Sequence, residues 1–219
     1  MEARSDNSPE KNSKSLSNHT GEGVIVDIGT GDGRFVFAAA KAYPNKFFIG
    51  IDPNVGPLEK PSTKATRKRD KGGLPNALFI QAAVEDLPPE LNGTADEIHV
   101  HFPWGSLLKA IALGDIVTLL SIRRIAAPYC NLEIIIGNDP QRDRSEVERL
   151  GIPELTPKFI KLELEKRYFN AGFELIENRI LAHSEWSKLE TSWARKLTPN
   201  EGRKATYLLF EAVSSDHLA

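Results

Sequence analysis

Apolar and polar positions alternate along this chain in blocks rather than residue by residue. Short apolar runs at Val24–Ile28, Phe47–Ile51, Leu78–Ala83 and Leu132–Gly137 are flanked by glycine or polar turns. That is the pattern of strands buried on both faces of a parallel sheet. Glu97–Phe102, Phe173–Ile180 and Ala205–Val213 add three more strands. Helical stretches lie between them: alanine-rich Arg34–Tyr43, stopped by Pro44; Leu113–Ala126, closed by Pro128; Lys158–Ala171, stopped by Gly172; and Ser184–Leu197. Val55–Arg69 carries Pro57 and Pro61, which predicts an irregular start and a helix after Pro61. Asn138–Pro157 is polar, with Pro140, Gly151, Pro153 and Pro157, and reads as an insertion with little regular core.

Strands alternating with helices predict an α/β fold, an open doubly wound sheet with helices on both faces. The sixth and seventh strands lack an ordinary crossover, so the last is expected to run antiparallel. Seven strands in this order fit the Rossmann-like class I S-adenosylmethionine-dependent methyltransferase sheet better than a dehydrogenase domain. Residues 1–20 are rich in Ser, Asn and Lys and are expected to form a disordered tail. Residues 21–219 then form one domain, with insertions near 55–75, 138–157 and 181–204.

The first strand ends in Asp27-Ile-Gly29-Thr30-Gly31-Asp32-Gly33, and Asp52 ends the second strand about 20 residues later. Glycines let the backbone turn tightly and approach a ligand, and a carboxylate at that second position can accept from both hydroxyls of a ribose. The pair predicts a nucleoside cofactor. The spacing is G-x-G-x-G, not the G-x-G-x-x-G of dinucleotide sites, and Asp27 and Asp32 would repel a pyrophosphate. Carboxylates suit the ammonium and sulfonium of S-adenosylmethionine. The turn Ala83-Val84-Glu85 after the third strand offers small residues beside an adenine, although Glu85 and Asp86 read equally well as a solvated acidic turn.

The fourth strand ends Phe102-Pro103-Trp104-Gly105-Ser106, at the rim where ligands of open α/β sheets bind. An indole there can stack on a base or cover an apolar edge. Trp193 can be a second stacking face, but Leu189, Trp193 and Leu197 also share one helical face as a core stripe. His99 and His101 point to one sheet face. With no cysteine or carboxylate cluster nearby they read as packing, and no metal is expected.

These motifs carry a resemblance. DIGTGDGR, GIDP, KGGLPN, AAVEDLP, FPWGSLL and TSWARKL occur in the order found in the 16S rRNA (adenine(1408)-N(1))-methyltransferase family, the Kam/Npm-type aminoglycoside-resistance enzymes. The resemblance covers the chain from about Gly23 to Tyr207, and FPWG with SWARKL is its specific part. It implies S-adenosylmethionine held by Asp27, Gly29, Thr30, Gly31, Asp32, Gly33, Asp52, Ala83, Val84 and Glu85, with Ser106 and Thr191 near the methionine end. It implies that Trp104 and Trp193, supported in the catalytic turn by Phe102 and Pro103, hold a flipped adenine. It implies that Lys64, Arg67, Lys68, Lys71, Arg195, Arg203 and Lys204 grip the rRNA of the 30S subunit. Family members begin with an N-terminal β-hairpin, which residues 1–20 do not read as.

The formal charge of the 219 residues is −2, which taken alone argues against a nucleic-acid partner. It is unevenly spread. Lys60–Lys71 sets six cations against one anion and Lys188–Lys204 sets five against two, so these segments carry +5 and +3 and the remainder −10. Two basic segments flanking the site favour a phosphate-contacting face. One cysteine excludes a disulfide framework, and there is no apolar run of the ~20 residues a membrane helix needs. A cytoplasmic monomer with no membrane partner is expected. A tRNA guanine-N7 methyltransferase and a small-molecule methyltransferase are the alternative readings.

Overall fold

The computed structural model describes residues 22–137, 139, 142–200 and 202–213. The expected tail at 1–20 lies outside them. Seven strands form one sheet in the order β3-β2-β1-β4-β5-β7-β6: β1 Val24–Ile28, β2 Phe47–Asp52, β3 Ala77–Gln81, β4 Ala95–His101, β5 Ala126–Ile136, β6 Phe173–Leu181 and β7 Ala205–Ala212. The first five run parallel, and β7 lies antiparallel between β5 and β6, as the missing crossover requires.

Two apolar cores lie on opposite faces. On one, Ile25, Phe48 and Phe79 pack beneath α1 (Arg34–Ala42) and α2 (Val55–Ala65). On the other, Val26, Ile98, Val100, Ile134 and Ile136 pack beneath α3 (Gly105–Leu113), α4 (Ile116–Ile125) and α6 (157–170). In α6, Ile160–Leu164 winds as a π-helix, and Tyr168 is fully buried, stacked on Phe210 at 4.0 Å. Because β1 and β2 are covered on both sides, their sequences are continuous apolar runs.

Several boundaries differ from the sequence reading. The expected helix Leu113–Ala126 is the second half of a broken pair. Gly114, at φ 63°, ends α3, and the side chain of Asp115 accepts from Thr118 N to start α4. Residues after the Pro-Trp-Gly turn are therefore helical. β5 starts six residues earlier than expected, at Ala126, so Pro128 lies within a strand. The helix α2 starts at Val55, ahead of both prolines. Pro57 falls in the first turn, where its missing N–H has no intrahelical partner to lose, and Pro61 is buried against the Gly33 turn.

The segment 138–157 contains α5 (Arg144–Leu150), and Leu150 and Ile152 enter the main core. Its described residues, 139 and 142–157, thus contribute more to the core than the sequence suggested. The single helix expected at Ser184–Leu197 is two short ones, α7 (His183–Trp186) and α8 (Ser192–Leu197). Trp186, fully buried, anchors a third small core with Phe102, Ile135 and Leu181. Among the described residues no single helix is long and apolar enough to cross a membrane.

Candidate cofactor and base-binding site

The sheet order reverses at β1 and β4, and the site lies at the carboxyl ends of these strands. The loop Gly29–Gly33 leaves β1 with Gly31 and Gly33 in the left-handed region, at φ 57° and 68°. A Cβ on Gly33 would stand 2.5 Å from the Phe79 ring, so glycine there lets α1 sit close to the sheet. A Cβ on Gly31 would meet nothing within 4 Å, so the backbone faces open space.

Asp52, at the end of β2, accepts Gly31 N on Oδ2 at 3.0 Å, and Asn54 N and Nδ2 on Oδ1 at 2.9 and 3.0 Å. A carboxylate has about four acceptor positions, so little remains for a ribose unless the Asn54 side chain moves aside. Asp27 is buried, and desolvation raises its carboxyl to about 6 despite the opposing pull of Thr30 and His99. A cationic ligand would offset that desolvation. Asp32 is held below the usual carboxylate range: partial burial opposes ionisation, but Ser192 and Arg34 outweigh it. Ser192 begins α8, so the Gly29–Gly33 loop touches the helix that carries Trp193.

The Ala83–Glu85 turn leads into a short 3-10 helix, Val84–Asp86. Val84 points into the main core, so only its backbone can face a ligand, while Glu85 is exposed. Ser106 is exposed in the first turn of α3. Thr191 has a structural task, because its Oγ1 accepts Ala194 N at 2.9 Å and caps α8.

Trp104 and Trp193 stack on each other, with ring centroids 5.0 Å apart and planes 19° from parallel. Trp104 is 43 % exposed, at the start of α3. Trp193 is half-buried, packed with Leu189 and Leu197 against the Trp186 core. The stacking face and the core stripe are thus two sides of the same residue. Lys196 Nζ lies 4.6 Å from the centroid of the Trp193 ring. Phe102 adopts φ 51°, a strained value for a residue with a side chain, and its buried ring packs edge-on to Trp186. Phe102 and Pro103 are both buried, so they shape the turn that presents Trp104. The indoles line a small pocket together with Phe102, Leu108, Leu197, Asp143 and Arg203.

Arg203 does not belong to the RNA-facing set. It is 6 % exposed and pairs with Asp143 at 2.5 Å, also donating to Gly137 O at 2.6 Å. It ties the entry of β7 to the loop after β5, a partnership across 60 residues that charge counting does not reveal. Arg195 is exposed but pairs with Glu190 at 3.0 Å. Lys64, Arg67, Lys68, Lys71 and Lys204 are exposed.

The premise that the histidines have no carboxylate nearby fails. Glu133 on β5 pairs in register with His99, and its Oε1 lies 2.7 Å from His101 Nε2.

A family model for "NpmA: 16S rRNA (adenine(1408)-N(1))-methyltransferase" matches residues 6–213. A 16S rRNA (adenine(1408)-N(1))-methyltransferase of Streptoalloteichus hindustanus is 37% identical over 181 residues, 82% of each chain. The crystal structure of the aminoglycoside resistance methyltransferase NpmB1 aligns with a TM-score of 0.81 and 46% identity over 93% of each chain. A tryptophan-to-alanine mutant of the Catenulisporales acidiphilia enzyme of the same name, solved with cosubstrate SAM, aligns with a TM-score of 0.85 and 33% identity, covering 96% of this chain and 93% of that one. The glycine loop, the two acidic strand ends and the stacked indoles thus stand on a fold shared along nearly its whole length, and the chain belongs to the 16S rRNA (adenine(1408)-N(1))-methyltransferase family.

Proposed function

We propose that this S-adenosylmethionine-dependent methyltransferase methylates N1 of adenine 1408 of 16S rRNA in the 30S subunit, with Trp104 and Trp193 holding the target base between them. The observation that carries this reading is the parallel indole pair beside the Gly29–Gly33 loop. Two flat faces recognise a flat base, and Ser192 joins one face to the cofactor loop.

S-adenosylmethionine, when bound, supplies an electrophilic methyl group on a sulfonium. Asp27 and Asp32 face its cationic end, and Asp52 takes its ribose once the Asn54 side chain moves aside. Adenine N1 carries a lone pair and no proton, so its attack on the methyl needs no general base, and the electron pair of the breaking bond stays on sulfur. Catalysis is then mainly positioning, N1 held in line with the sulfur–methyl bond. The pairing edge of a stacked base is inaccessible, so the base must turn out at a cost of a few kcal/mol. Stacking on aromatic side chains offsets it by about 1–3 kcal/mol per base, and the π faces favour the cationic product. Lys64, Arg67, Lys68 and Lys71 on the α2 side, with Lys204, contact rRNA phosphates. The product would confer aminoglycoside resistance.

The test is methyl transfer from labelled S-adenosylmethionine to 30S subunits, naked 16S rRNA and tRNA, followed by reverse transcription, which an N1 methyl blocks. A new stop at adenine 1408 in 30S is the expected result. Methylated tRNA with unmodified 30S would overturn the substrate assignment.

A further inference from the structure

Beside Asp27, the α1-side face of the sheet carries a polar row to which the proposed methyl transfer gives no step. His99 and His101 sit two residues apart on β4, so both side chains leave the same face. Their rings stack at 4.9 Å and 19°. Phe35 from α1 packs edge-on to both, at 5.1 and 5.0 Å. From β5, Glu133 enters beside them and brings one carboxylate oxygen to 2.7 Å from His101 Nε2. One donor atom from each of His99, His101 and Glu133 lies within 4.8 Å of the other two.

We infer that His99, His101 and Glu133 form a binding site for a zinc-class divalent cation, adjoining Asp27 at the carboxyl end of β4. Two imidazoles on alternate positions of one strand and a carboxylate from its neighbour make a three-donor set, N₂O, that borderline metals such as Zn²⁺ and Co²⁺ favour over Mg²⁺ or Ca²⁺. A tetrahedral ion with bonds of about 2.1 Å places its donors about 3.4 Å apart. His101 Nε2 and Glu133 Oε1 are 2.7 Å apart and all three donors lie within 4.8 Å of one another, so small side-chain rotations complete the set.

Two surrounding features support it. Glu133 is itself oriented by Tyr207, whose hydroxyl donates to Oε2 at 3.3 Å, the kind of outer partner that fixes a metal-binding carboxylate. Glu97, 3.6 Å from His99 Nε2, stands ready as a fourth donor or outer partner and is anchored by Lys46 at 2.8 Å. The site is also reachable: the His99 and Glu133 side chains are 15% and 29% exposed, while His101 is closed off.

The test uses the full chain, stripped with a chelator and titrated with Co²⁺, then with Zn²⁺ as competitor. We expect one equivalent to bind in the micromolar range or tighter, with the ligand-field bands of a tetrahedral ion. In imidazole nitrogen spectra of the wild-type protein, two of the five histidines should shift, His99 and His101. Glu133→Gln and His99→Gln should weaken binding about tenfold or more, whereas His183→Gln should not change it. Absence of saturable binding, or shifts at His19, His183 or His217 instead, would overturn the site. So would wild-type affinity in Glu133→Gln. The wild-type spectra decide the matter even if a variant fails to fold.

Discussion

The indole of Trp104 rests directly on that of Trp193, 5.0 Å centroid to centroid. Stacked bases lie about 3.4 Å apart, so two indoles that sandwich an adenine must stand about 7 Å apart. The pair is therefore closed on itself, and a base enters only if one indole moves. Trp104, 43 % exposed, is the more open of the two, whereas Trp193 packs against the Trp186 core.

Replacing Trp193 by alanine removes one face of the sandwich and leaves the glycine loop untouched. Methyl transfer to 30S should fall by about 5- to 150-fold, the equivalent of 1–3 kcal/mol of lost stacking, while S-adenosylmethionine affinity by calorimetry stays close to wild type. Trp193→Phe should retain an intermediate rate. Unchanged turnover in the alanine variant would remove Trp193 from base recognition.

Asp27 gives a pH dependence with a definite sign. Its folded carboxyl lies at about 6 against an ordinary 3.8, so the ligand-free protein gains stability from protonation. That contribution is fully present below about 3.8 and is lost as pH rises through 6. A cationic cofactor needs the ionised form, so its affinity should rise from pH 5 to about pH 7 and then level off. Asp27→Asn should raise the ligand-free Tm at neutral pH, by up to roughly 3 kcal/mol of stability, while weakening cofactor binding and flattening its pH profile. Thermal melts and calorimetry across this range check both.

Gly33 meets two constraints at once. An alanine there would sit at φ 68° with its Cβ 2.5 Å from Phe79, which α1 holds against the sheet. Gly33→Ala should lower stability by about 2–4 kcal/mol and weaken cofactor binding, since the loop must shift outward. Gly31→Ala adds no clash and costs mainly its φ strain, so its melt should lie between those of Gly33→Ala and wild type.

How much of this was legible in the sequence depends on whether the cause is local. The buried strands were, because β1 and β2 are covered on both faces and admit only apolar residues. The glycine loop, Asp27, Asp52 and Trp104 were legible for the same reason: strand ends fix their place. The break at Gly114 was not, since a lone glycine after apolar residues reads as helix interior. Nor was Glu133 beside the histidines, which depends on the β4–β5 register, or the burial of Arg203, whose partner Asp143 lies in a proline-rich segment that read as loop. Trp186 carried no motif, and its role appears only once α7 turns it inward.

Arg203 and Lys68 test the proposed division between structural and RNA-facing charge. Arg203 is buried in its pair with Asp143, so Arg203→Ala leaves a carboxylate without its partner and should cost about 3–5 kcal/mol, seen as a lower Tm. Its effect on 30S binding should not change the dependence of affinity on salt, because no phosphate contact is lost. Lys68 is exposed and lies at the start of the turn after α2. Lys68→Ala should leave the melt within about 0.5 kcal/mol of wild type and reduce the slope of log affinity against log salt by about 1. A reduced slope in Arg203→Ala with an unchanged melt would return that residue to the RNA surface.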